Sequence, residues 1–199
     1  MLATEILSQE HQVILRVLDC LEQMIQTAAS TGRLDGEAAR DAIEFFQVFA
    51  DQGHHGKEEA HLFPAMEAKG YPRDGGPTGV MLNEHRLGRE CVRAMSEAVA
   101  GAAGGDRDAL RRFAESGQTY VNLLRQHIEK EDHCLFGMAN QVFSEQEQRE
   151  LLAAFQAVDA GQMSAGAREK YLTVAQSLGA RYGGAARDAA GKPDCGCGH

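Results

Sequence analysis

The chain has 199 residues, a formal net charge of −9, and 43% hydrophobic against 25% charged residues. That is material for one domain with a sizeable core plus an extension. Its scattered Lys and Arg exclude a nucleic-acid footprint, no apolar run reaches membrane-spanning length, and five cysteines with no basic leader suit a reduced, cytoplasmic chain.

Hydrophobic spacing predicts helices throughout. The first runs from about Ala3 to Ser30, with Leu7, His11, Ile14, Leu18, Leu21 and Ile25 on a 4-3-4-3-4 seam, and ends near Gly32. The second follows Asp35, a good N-cap, and reaches about Lys69, where Gly70 and Pro72 stop it. Phe46, Ala50, His54, Glu58, Leu62 and Ala65 lie on its seam. A Gly/Pro-rich loop from Gly70 to Gly79 leads to a third helix, about Val80 to Ala100, whose seam carries His85, Val92 and Val99. After a Gly101-to-Gly105 break, Asp106 caps a fourth helix reaching about Asn140, with Leu124, His127, Glu131, Leu135 and Met138 in register. Ser144 and Glu147 form a capping box for a fifth helix to about Asp159, and a sixth spans about Ala165 to Tyr182. Beyond Gly183 the composition predicts disorder. The two last helices cover one face of the preceding four or form a homodimer interface.

The chain is one half written twice. His54-His55-Gly56-Lys57-Glu58-Glu59-Ala60-His61-Leu62-Phe63 aligns without a gap on His127-Ile128-Glu129-Lys130-Glu131-Asp132-His133-Cys134-Leu135-Phe136, and Glu10-His11 aligns on Glu84-His85. Each half therefore carries His, then His-x-x-x-Glu. Residues four apart on a helix share a face, so His54/Glu58 and His127/Glu131 each aim one nitrogen and one carboxylate at a common point. A single seam histidine is most simply a satisfied core residue. Four histidines and two glutamates on buried seams, in register and in duplicate, need a compensating cation, because an uncompensated buried carboxylate costs several kcal/mol. The set is the ligand count of a two-metal centre. A ferritin-like pattern would need Glu-x-x-His twice, and Glu58-x-x-His61 has no second copy.

The order His11, His54-x-x-x-Glu58, His85, His127-x-x-x-Glu131, with Leu62-Phe63-Pro64 after the first glutamate, resembles the hemerythrin and HHE cation-binding family over about residues 1–140. The resemblance implies an all-α, up-down-up-down four-helix bundle of two pseudo-repeats, about 1–69 and 80–140, followed by a helical extension at 141–183 and a tail at 184–199. It also implies a non-haem di-iron centre, two iron ions with an oxo or hydroxo bridge, held by His11, His54, Glu58, His85, His127 and Glu131. Which histidine serves which iron stays open. Oxygen carriers of the family have a fifth histidine four residues after the third; Arg89 stands there, and Leu15 at the matching place in the first half. They also carry Asp at i+5, where Asp132 stands, but Glu131 matches the repeat. The expected activity is therefore binding or reaction of a small ligand (O2, H2O2 or NO) in oxidative or nitrosative stress defence, with an unknown electron donor. Non-catalytic oxygen or iron sensing or storage, or iron donation for cluster repair, are the alternatives. His55, His61 and His133 lie off the seams and are candidates for a vacancy, with solvated helix surface as the plain alternative. Tyr120 is a candidate phenolate or hydrogen-bond donor, or a packing residue. Cys195, Cys197 and His199 make an incomplete soft-metal or dithiol motif, while Cys20, Cys91 and Cys134 read as core or boundary thiols.

Overall fold

The computed structural model describes residues 1–161 and 166–183, and all of its regular elements are helical. Helix α1 (Ala3–Thr31) is started by Glu5, whose side chain accepts from the Leu2 N–H at 2.8 Å, and stopped by Gly32 at φ 70°. Helix α2 (Gly36–Phe45) takes Asp35 as its N-cap, the carboxylate accepting from the Ala38 N–H at 3.3 Å. The chain then continues through π-helical turns at Phe46–His55 and Glu58–Leu62 into α3 (Phe63–Ala68). Helix α4 (Pro77–Ala103) begins three residues before the expected Val80, because Pro77 suits the first turn, where its missing N–H costs nothing. Helix α5 (Arg107–Lys130), capped by Asp106, passes through a π-helical turn at Glu131–Leu135 into α6 (Phe136–Val142). Helix α7 (Glu145–Gly161) opens on the expected box, with the Ser144 N–H donating to Glu147 Oε2 at 2.9 Å, and α8 (Ala167–Tyr182) follows Gly166.

The π turns were not foreseen, and the seam explains them. Phe46, Ala50, His54, Glu58 and Leu62 recur every fourth residue. In an ideal α-helix each such step overshoots by about 40°, so four steps carry the seam about 160° around the axis. All five residues are nonetheless buried. Wider i→i+5 turns cancel the drift and keep one row facing inward.

Helix α4 packs along α5, and α1 lies against both α5 and α8. Gly117 permits the close approach: a Cβ there would stand 2.7 Å from Ile25 Cδ1 and 3.2 Å from Met95 Sδ. Two apolar clusters result. One gathers Leu18, Phe45, Phe49, Met95, Phe113 and Val121, the other Leu7, Phe63, Met66, Phe136 and Phe155. On each helix the histidines and glutamates of the repeat fall between a residue of one cluster and a residue of the other, so they form a polar layer between two apolar ones. Helices α7 and α8 belong to the same core: Phe155 joins the second cluster, Tyr171 and Leu178 the first. Cys20 is buried and Cys91 partly so, but Cys134, expected in the core or at its boundary, is exposed, because its position on the π turn faces outward. The Cys195, Cys197 and His199 motif lies outside the described residues. Among the described residues no helix is long and apolar enough to cross a membrane.

Candidate metal centre

The polar layer brings together all six residues singled out by the repeat. His11 Nε2 and His54 Nε2 stand 2.9 Å apart, and His85 Nε2 and His127 Nε2 3.1 Å apart. Glu58 reaches both pairs, with Oε1 3.6 Å from His54 Nε2 and Oε2 3.5 Å from His85 Nε2. Glu131 Oε2 lies 3.2 Å from His11 Nε2 and 3.3 Å from His127 Nε2. Two groups of buried ligand atoms, each within 4.8 Å of one another, are able to hold a cation: His11, His54, Glu58 and Glu131 in one, His55, Glu58, His85 and His127 in the other. Glu58 is common to both.

A carboxylate orients each of the four imidazoles from behind. His54 Nδ1 is 3.1 Å from Glu10 Oε2 and His127 Nδ1 is 2.9 Å from Glu84 Oε2; these acids immediately precede the first histidine of each half. His11 Nδ1 is 2.9 Å from Asp132 Oδ1 and His85 Nδ1 is 2.7 Å from Glu59 Oε1; these acids immediately follow the glutamates of the repeat. Glu10 and Glu84 thus serve their own half, whereas Glu59 and Asp132 each serve the other. The repeated lysines complete the pattern: Lys57 Nζ donates to Glu10 at 2.5 Å, and Lys130 Nζ donates to Glu84.

This arrangement fits a pair of cations. An ionised carboxylate only accepts, so each Nδ1 carries the hydrogen and each Nε2 presents a lone pair. Those lone pairs face one another at hydrogen-bond distance. All four oxygens of Glu58 and Glu131 are buried without a hydrogen-bond partner, a cost that a coordinated cation removes. With no cation, protons fill the gaps. Burial, and then the neighbouring Glu131, push the Glu58 carboxyl well above the usual carboxylate range. Burial would raise Glu131 too, but His127 and His11 outweigh it and hold that group well below. Burial opposes charge on His127, yet Glu131 and Glu84 lift it to about 9; His11 is raised in the same way by Asp132 and Glu131. Burial lowers His54, His55 and His85, His55 to about 3.

Of the three off-seam histidines that the sequence offered for a vacancy, His55 is the one that joins a ligand group. It is buried, its ring stacks on His85 with centroids 3.7 Å apart, and Asp51 Oδ1 stands 3.3 Å from its Nδ1. The signal was the adjacent His54-His55 pair on a seam of strict period four, where a widened turn carries both inward. His61 and His133 join neither group; His61 is half-buried and His133 exposed. Arg89 does not aim at the centre. Its guanidinium bridges Asp51 at 2.8 Å and Glu59 at 2.7 Å, the two acids that orient His55 and His85. Tyr120 is buried with its ring edge-on to Phe46, 4.9 Å between centroids, and burial raises its phenol so that it keeps its proton.

The two ends of the layer differ. A phenylalanine of the repeat stacks on an imidazole at both ends, Phe136 on His11 at 5.5 Å and Phe63 on His85 at 5.8 Å, but near His54 Lys57 is also fully buried between Glu10 and Asp159 of α7, at 2.5 and 2.7 Å. Near His55 and His85 a cavity of about 400 Å³ reaches the imidazoles between α4, α5 and the π turn at Phe46–His55. One end is closed by packing and the other communicates with solvent.

Comparison with known proteins agrees with this geometry. Uncharacterized proteins of Mycobacterium tuberculosis and Mycobacterium bovis are each 26% identical over 154 residues, covering 77% of this chain and 60% of their own length. The chain thus spans about 60% of the curated relatives it matches. No solved structure matches it. The hemerythrin HHE cation-binding domain matches residues 2–139, a span that contains both buried His/Glu groups and the acids that orient them. A duplicated His, His-x-x-x-Glu pattern, folded into a cation-ready layer within that span, makes the chain a member of the hemerythrin HHE cation-binding family.

Proposed function

We propose that the chain is a non-haem di-iron protein that binds or reacts with a small ligand, O2, H2O2 or NO, in oxidative or nitrosative stress defence. The observation that carries this reading is the shared Glu58, with Glu131 Oε2 standing between His11 and His127. His11, His54, Glu58 and Glu131 would hold one iron, and His55, His85 and His127 with the shared Glu58 the other. The pair, when bound, supplies Lewis-acid and redox chemistry. The chain's own groups do the rest. Glu10, Glu84, Glu59 and Asp132 fix the imidazole tautomers and orientations. Lys57, Asp159 and Phe136 exclude water from the His11 and His54 end. The cavity beside His55 and His85 admits the ligand, and Tyr120, which keeps its proton, offers a donor there.

In this reading residues 1–140 form an up-down-up-down four-helix bundle of two pseudo-repeats and 141–183 a helical extension laid on α1, while residues 184–199 lie outside the described ones. A cytoplasmic setting with an unidentified electron donor belongs to the same reading. The test is expression in iron-rich medium, aerobic purification, metal analysis and an absorption spectrum. Two irons per chain with diferric absorption in the near ultraviolet are expected. One metal per chain, or zinc alone, refutes the proposal.

A further inference from the structure

The cavity beside His55 and His85 is far larger than the proposed ligands require. A water-sized molecule occupies about 30 Å³, whereas this space measures about 400 Å³, within the range of sites for ring-sized organic molecules, which begins at about 300 Å³. Its walls are suited to a flat ring. Phe46, Val92 and Tyr120 supply apolar and aromatic surface, and the imidazoles of His55 and His85 reach its inner end. Gly88 leaves one wall without a side chain: a Cβ there would meet Tyr120 Cε2 at an ordinary 3.4 Å, so a glycine is not required by packing. The helix would be more stable with almost any other residue at this position. What the glycine leaves is volume on the cavity side of α4.

The charges at the cavity define the occupant further. Arg89 is already engaged by Asp51 and Glu59. Arg93, one turn further along α4, is exposed and stands in none of the ion pairs among the described residues, and Glu97, one turn beyond it, lines the same cavity. A guanidinium held in no ion pair beside an aromatic wall is able to meet a planar ring that carries one anionic group.

We infer that this cavity is a binding site for a single-ring aromatic carboxylate, its ring laid against the wall formed by Phe46, Val92 and Tyr120 and its carboxylate at Arg93. This goes beyond the small-ligand reading and rests on it only for the meaning of the neighbouring imidazoles.

The experiment is calorimetric titration of the full chain, as purified, with benzoate, benzyl alcohol and benzylamine, and metal content is measured on the same samples. Benzoate should bind one per chain, benzyl alcohol about fivefold more weakly for want of the ion pair, and benzylamine least. Gly88→Leu fills the slot and should abolish benzoate binding. Arg93→Gln, on an exposed helix face where misfolding is not at issue, should weaken it about fivefold while leaving benzyl alcohol unchanged. Arg111→Gln on the outer face of α5 should change nothing. Absence of benzoate binding at millimolar concentration overturns the inference, and so does equal binding of benzylamine or full binding to Gly88→Leu. An iron-free protein that binds benzoate would sink the proposed function and sustain the cavity; an iron-loaded one that binds no ring would do the reverse.

Discussion

Lys57 and Lys130 occupy matching places in the repeat and hold matching acids, Glu10 and Glu84, but in different surroundings. Lys57 is fully buried and also contacts Asp159, whereas the Lys130 side chain is 43% exposed. Replacing each by Met keeps the length of the side chain and removes the charge. At Lys57 this strands Glu10, itself buried, beside Asp159, with Arg168 at 3.8 Å from Glu10 as the remaining cation. Breaking a buried pair by removing one partner costs about 3–5 kcal/mol. At Lys130 the loss is that of an exposed pair, about 0–1 kcal/mol. For a chain of this size 1 kcal/mol moves Tm by about 2–4 °C, so Lys57→Met should lower Tm by roughly 6–20 °C and Lys130→Met by at most about 4 °C. Thermal unfolding followed by circular dichroism, with and without a chelator, reads both. Equal shifts would refute the claim that burial against α7, rather than the shared motif, sets the worth of this lysine.

His55→Ala should weaken retention of the metal held by His85 and His127 by about 10–100-fold, whereas His61→Ala and His133→Ala should leave both metals in place; equilibrium dialysis against a chelator checks this, and equal loss from His133→Ala would contradict the geometry. Metal affinity should rise with pH. Without metal, protons are retained on Glu58, on His11 and on His127, whose value lies at about 9, so binding must release them and tighten as pH climbs toward that value. Competition titrations across neutral pH that show no such rise would count against the protonation pattern. Deleting residues 186–199 should leave iron content and helicity unchanged, because every residue of the two candidate groups precedes Asn140; metal analysis of the truncated protein decides it.

The helical order and the two apolar seams were legible because three-and-four spacing is a direct record of which face is buried. The convergence of His11, His54, Glu58, His85, His127 and Glu131 was legible because the pattern occurs twice. What the spacing did not reveal was turn width. Strict period four from Phe46 to Leu62 reads as an ordinary helical face until the accumulated drift is counted, and the inward turn of His55 depends on that count. Nor does a seam name its partners. Glu10, Glu59, Glu84 and Asp132 were visible as neighbours of the repeated histidines, but a residue adjacent in sequence points about 100° away on a helix, toward a different helix. Their orienting bonds, two of them between halves, follow only from how the helices meet. Arg89 shows the same blindness: its position suggests the centre, while its length carries the guanidinium to Asp51 and Glu59.

The crossed bonds from Glu59 to His85 and from Asp132 to His11 make each half the complement of the other. Two identical copies meeting about a two-fold axis could build the same layer, but strict symmetry would give both cations identical surroundings. Joining the copies in one chain lifts that constraint. His55 faces Ile128, and Leu15 faces Arg89, across the alignment of the halves. With α7 laid over it, one end of the layer has become a closed wall while the other, at His55 and Arg89, is an open door, an asymmetry that a dimer of interchangeable subunits could not have acquired.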